Sequence, residues 1–97
     1  MIYSVNEIQS VVSSLAREYG VDRIYLFGSY ARGEANEGSD IDLRIDKGAV
    51  RGFGLGGLAA DLEDALGLPI DLIPTGSLDS GFLSAISSEE VLLYEAS

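Results

Sequence analysis

The chain predicts an α/β or α+β domain in which one mixed sheet is flanked by helices. Three observations carry this. Helix-like and strand-like segments alternate along its 97 residues. Glycine and proline stand at the junctions between them. A hydrophobic share of 46% fits a packed globule rather than a disordered chain.

Ser4 to Tyr19 reads as an amphipathic helix. Ser4 and Glu7 match the capping box, in which side chains satisfy the first free amides. Val5, Ile8, Val11, Val12, Leu15 and Tyr19 form one apolar stripe at three- and four-residue spacing. Gly20 suits the position just past the helix end. Arg23-Ile24-Tyr25-Leu26-Phe27 is a strand rich in aromatic and branched residues, and Gly28 ends it. Ser29 to Arg32 is expected to form a helical turn, and Gly33 to Ser39 a polar loop. Ile41 to Ile45 is the second strand. Lys47 to Gly57 is glycine-heavy and is expected to be a mobile loop. Leu58 to Leu66 reads as a helix stopped by Gly67 and Pro69. Ile70 to Ile73 is a short strand closed by Pro74. Leu78 to Ile86 carries one or two helical turns, and Val91 to Tyr94 a final strand.

Residues 1–97 are expected to be one domain, burying roughly 60–65% of the unfolded surface. No apolar run approaches the ~20 residues that span a bilayer, and the N-terminus lacks the basic start of a secretory signal. With no cysteine there is no disulfide and no thiolate site, so the cytoplasm is the expected compartment. A formal charge of −10 repels nucleic acid backbone, which argues against direct nucleic acid binding.

The chemistry concentrates between Gly28 and Leu43. Gly28-Ser29 follows an apolar strand, and a ten-residue spacer leads to Asp40-Ile41-Asp42. Side chains two apart in a strand share a face, so Asp40 and Asp42 point together while Ile41 and Leu43 turn to the core. Two adjacent carboxylates repel unless a cation lies between them. Mg²⁺ takes such ligands and shares them with substrate phosphates. A turn with free amides and a hydroxyl is a natural phosphate cradle. Asp71, alone among Ile70, Leu72 and Ile73, is costly to bury unless it faces the same cleft, which makes it the third acid. In this reading Asp40, Asp42 and Asp71 are the catalytic and metal-binding residues. Gly28 and Ser29 hold the β- and γ-phosphates of a nucleoside triphosphate.

Competing patterns fail. Gly52 to Gly57 matches the dinucleotide fingerprint, but polar residues separate it from the preceding strand. Counted from Asp40, an EF-hand loop would need an acid at Arg44 and glycine at Ile45. No P-loop pattern is present. Asp61, Glu63 and Asp64 read as solvated helix charges, and Asp79, Glu89 and Glu90 as surface charge. Tyr30 is expected to pack under the loop rather than stack on a base.

Gly28-Ser29, the spacer and Asp40-x-Asp42 resemble the signature of minimal nucleotidyltransferase domains in the DNA polymerase β-like superfamily. Tyr25-Leu26-Phe27, Ala31-Arg32-Gly33-Glu34-Ala35, Ser39, Asp71 and the closing Ser87 to Glu95 extend the likeness over nearly the whole chain. The resemblance implies a polymerase β palm-like fold and Mg²⁺-dependent transfer of AMP from ATP. It also implies an antitoxin role, in which a cognate HEPN-type ribonuclease toxin is silenced by binding or by adenylylation of a tyrosine. Arg32 is expected to help at the phosphates. Arg44 departs from the apolar residue many relatives carry. By alternation it shares the face of Asp40 and Asp42, where it could pair with an acid and weaken metal binding, or touch substrate. Together with the small size and the −10 charge, Arg44 leaves an alternative: a catalytically idle acidic module that neutralises its partner by covering it.

Overall fold

A computed structural model describes residues 2–50 and 54–97. The elements run α1 (Val5–Tyr19), β1 (Arg23–Phe27), α2 (Gly28–Ala31), β2 (Ile41–Asp46), α3 (Gly54–Leu66), β3 (Ile70–Pro74), a 3₁₀ turn (Thr75–Ser77), α4 (Ser80–Ser87) and β4 (Val91–Glu95). The strands form one mixed sheet in the order β3-β2-β1-β4. β1 pairs antiparallel with β2 and β4, while β2 and β3 are parallel. That parallel pair requires a crossover, which α3 supplies.

The predicted α1 forms with its capping box: Ser4 Oγ accepts from the Glu7 amide at 3.1 Å, and the Ser4 amide donates to Glu7 Oε1 at 2.7 Å. Ile8, Val12 and Ala16, four apart, line its buried face; Leu58, Leu62 and Leu66 do the same on α3. Both stripes pack with Ile24, Leu26, Ile41, Leu43, Ile45 and Leu93 into one core. Each fully buried Val, Leu or Ile side chain among them contributes about 1.5–3 kcal/mol relative to exposure. No helix among the described residues is long and apolar enough to cross a membrane.

One expectation is overturned. The glycine run was expected to belong to a loop up to Gly57, yet α3 starts at Gly54 and takes in Gly56 and Gly57. Glycine costs about 1 kcal/mol in a helix interior, and packing overrides that here. A Cβ at Gly57 would lie 3.2 Å from the Tyr19 hydroxyl, so the small residue admits α1. That hydroxyl donates to Asp61 Oδ2 on α3 at 2.5 Å, so Asp61 is more than a solvated charge. The part of the expected loop at residues 51–53 lies outside the described residues. The glycines do not form the tight strand-to-helix turn of a dinucleotide site, because β2 ends at Asp46 and α3 begins only at Gly54.

Candidate active site

α1 and α3 cover one face of the sheet. On the other, strand alternation and register set Tyr25 and Phe27 of β1 opposite Arg44 and Asp42 of β2. Parallel pairing sets Asp42 beside Asp71. α4 leans over the end of this face, where Phe82 meets Phe27 edge-on with ring centroids 6.0 Å apart.

β1 ends where Gly28 enters α2 at φ +76°, a conformation that favours glycine. A Cβ at Gly28 would collide with the Asp42 carboxylate. Both the backbone angle and the close approach therefore require glycine, and the turn is pressed directly onto Asp42. Gly28 is thus set against Asp42, Ser29 follows it in α2, and Asp71 stands in register with Asp42 on the neighbouring strand.

Asp42 is half-buried while Asp71 is exposed. Burial pushes the Asp42 carboxyl up to about 6; hydrogen bonding and charge from Asp71 and the charge of Asp40 add to this, and Arg32 opposes it. Asp40 precedes β2 rather than lying in it, and it is exposed. Its charge reaches Asp42, but among the described residues no three acidic side chains stand close enough together to hold a metal ion. The expected convergence of three carboxylates is not seen among the described residues: Asp42 and Asp71 pair across the strands, and Asp40, outside β2, reaches Asp42 through its charge alone. The pair's chemistry fits a hard divalent cation: two carboxylates from neighbouring strands stand in register and offer oxygen donors side by side. Mg²⁺ commonly takes one or two carboxylates and completes its shell with water and substrate phosphate.

Arg44 does lie on the acid face, but it does not pair with Asp40 or Asp42. Its guanidinium grips Glu90 through Nε at 3.0 Å and Nη2 at 2.7 Å, and donates to Thr75 Oγ1 at 2.9 Å. It also stacks 4.0 Å from the centre of the Tyr25 ring. Glu90 is consequently no surface charge, its side chain being only 12% exposed. Glu89 is none either. It accepts from the Gly28 amide at 3.3 Å and pairs with Arg32 at 3.2 Å. Asp79 caps α4 by accepting from the Phe82 amide at 2.7 Å. Glu63 accepts from the Ile70 amide at 3.2 Å, tying α3 to β3. Tyr30, on α2, is buried in the core, as the packing reading expects. Sequence reasoning missed Glu89 and Glu90, whose partners lie 57 and 46 residues away. The available signal was Arg44 itself, a cation on a half-buried face in need of an anion.

An open groove of about 650 Å³ runs between α1 and α3, lined by residues including Ser10, Ser14, Asp61 and Asp64. It belongs to the helical layer and contains none of the expected site residues.

Paired carboxylates beside an amide-bearing turn on this mixed sheet are an arrangement suited to a nucleotidyltransferase. The chain belongs to the polymerase beta nucleotidyltransferase family, whose profile matches residues 9–97. It is 37% identical over 93 residues to the protein adenylyltransferase MntA of Thermococcus cleftensis, covering 91% of this chain and 94% of that one. A solved chain assigned as a minimal nucleotidyltransferase superposes with a TM-score of 0.79 at 29% identity, covering 92% of this chain and 95% of that one. A chain from a toxin–antitoxin crystal structure with AMP-PNP superposes with a TM-score of 0.77 at 25% identity, covering 91% of this chain and 73% of that one.

Proposed function

We propose that this chain moves AMP from ATP, with Mg²⁺, onto a tyrosine hydroxyl of a cognate HEPN-type ribonuclease toxin in the cytoplasm, and so neutralises that toxin. The observation that carries the reading is the in-register pair Asp42 and Asp71 beneath the Gly28 turn. The relatives add support: one is named for protein adenylylation, and one solved neighbour is a toxin–antitoxin structure with an ATP analogue.

In this reaction the acceptor oxygen bonds to the α-phosphorus, the bond to the β-phosphate breaks, and pyrophosphate leaves. The amides and hydroxyl at Gly28 and Ser29 hold the β- and γ-phosphates. The hydroxyl proton passes to a carboxylate of the pair, with Asp71, the exposed member, facing the acceptor. Asp42 and Asp71, with Asp40 preceding the same strand, are the residues that would hold Mg²⁺, which would neutralise triphosphate charge and lower the pKa of the acceptor hydroxyl.

The idle-module reading drew on Arg44 intruding among the acids. Arg44 is held by Glu90 and Tyr25 instead, which removes that motive. The test is to incubate the chain with ATP, Mg²⁺ and the partner and weigh the products. A gain of one AMP on the partner is expected, lost in Asp42→Ala and kept in the exposed control Glu18→Ala. Neutralisation in cells by a folded Asp40→Ala/Asp42→Ala double variant would return the idle reading to favour.

A further inference from the structure

We infer that Glu89 is an internal anion that competes with the phosphates of the nucleotide for Gly28 and Arg32, and thereby sets how tightly the chain takes nucleotide. The inference rests on the site reading above.

The geometry comes first. Glu89 Oε1 receives the Gly28 amide at 3.3 Å and Arg32 Nη1 at 3.3 Å, and Oε2 receives Arg32 Nη1 at 3.2 Å. One carboxylate thus bridges a backbone donor and a cation, and that donor belongs to the residue pressed onto Asp42. A carboxylate and a phosphate oxygen demand the same thing of these donors: both are negative and accept only. They cannot both be served.

The charges agree. Arg32 is shared between Glu89 and Glu34, the latter on Nε at 2.8 Å. With both acids in place this cluster carries a net negative charge beside Asp40, Asp42 and Asp71. A triphosphate approaching it meets repulsion. With Glu89 swung out, Arg32 and Glu34 balance, and two Arg32 contacts and one amide are released to the ligand.

The neighbouring residue shows why Glu89 can be the one that moves. Glu90 is clamped by Arg44, with a contact at 2.7 Å and its side chain 12% exposed. Glu89 lies in the turn between α4 and β4, its side chain is 24% exposed, and its contacts are 3.2–3.3 Å. Charge-assisted bonds of full strength run at about 2.7–2.9 Å, so Glu89 is loosely held. Glu90 pins the turn while the Glu89 side chain rotates into water.

The experiment titrates inorganic tripolyphosphate and ATP into the full chain, Glu89→Gln and Glu89→Asp by calorimetry, with thermal melts recorded alongside. Glu89→Gln is expected to bind tripolyphosphate roughly tenfold more tightly. Glu89→Asp, whose shorter arm withdraws the charge from Arg32 without removing it from the turn, should show a smaller gain. Adding Arg32→Gln to Glu89→Gln should cancel the gain. A purely structural Glu89 would instead lower the melting temperature with affinity unchanged or weaker, and that outcome overturns the inference, as does absence of tripolyphosphate binding in every variant. If the variants gain tripolyphosphate affinity while no form of the chain transfers AMP, the competition stands and the proposed reaction falls. If wild type transfers AMP and Glu89→Gln gains nothing, the reverse holds.

Discussion

The two faces of β2 lie one residue apart and obey different physics. Ile41, Leu43 and Ile45 are fully buried against α1 and α3. Asp42, Arg44 and Asp46 turn the other way and are half-buried. The first face is held by area removed from water, which is non-directional. The second is held by specific pairs: Arg44 with Glu90, and Asp46 with Arg23 and the Thr75 hydroxyl. On that second face only Asp42 has a like charge, Asp71, as its cross-strand neighbour, and it is the residue whose protonation is most disturbed. Unrelieved electrostatic tension of this kind concentrates at functional sites, because a ligand is what relieves it.

The difference between the faces can be broken in order of size. Asp42→Ala should cut AMP transfer by roughly a thousandfold while leaving the melting temperature equal or higher, since it removes repulsion and little buried apolar area. Quantitative mass spectrometry of the partner, with a melt alongside, reads both. Transfer at the wild-type rate would move the chemistry off this face. On the opposite face, Leu43→Ala should destabilise the fold by about 3 kcal/mol in urea unfolding, from lost burial plus the cavity left behind. Next, Arg44→Met should cost about 2 kcal/mol, because it strands Glu90 without a counter-ion. Adding Glu90→Gln should restore most of that loss, and a double-mutant cycle measures the coupling.

The smallest effect sharpens the contrast through pH. The Asp42 carboxyl is raised to about 6 in the folded chain, above its ordinary value, so the folded state binds its proton more tightly than the unfolded state. Its contribution to stability is therefore full below the unfolded pKa of about 4 and is lost as pH rises through about 6. Asp42 is partly solvated, so screening reduces the effect to about 1 kcal/mol. Urea midpoints of metal-free protein between pH 4 and 7 should show that decline, and Asp42→Asn should flatten it. An equal slope in both would assign the decline to another group.

Much of this was legible in the chain because its signals are local. The α1 stripe and capping box span adjacent turns, and alternation in Ile41 to Ile45 separates core from cleft within one strand. The illegible parts were long-range. Gly54 to Gly57 read as loop because helix propensity is local, whereas the contact that admits Gly57 comes from Tyr19 on another helix. Glu89 and Glu90 read as surface because their cations, Arg32 and Arg44, lie on elements far earlier in the chain. The expectation that Asp40 joins a tight triad assumed it lay in the strand, but β2 begins at Ile41.

By itself the sequence determined the buried stripe of α1, the alternation of core and cleft along β2, and which acids are set two apart, since side-chain periodicity follows from backbone geometry alone. The tertiary structure decided partnership: that Asp71 stands beside Asp42, that Arg44 belongs to Glu90, and that Glu89 bridges Gly28 and Arg32. Coulomb and hydrogen-bond energies depend on distance in space, and the sheet order β3-β2-β1-β4 sets those distances without regard to separation along the chain.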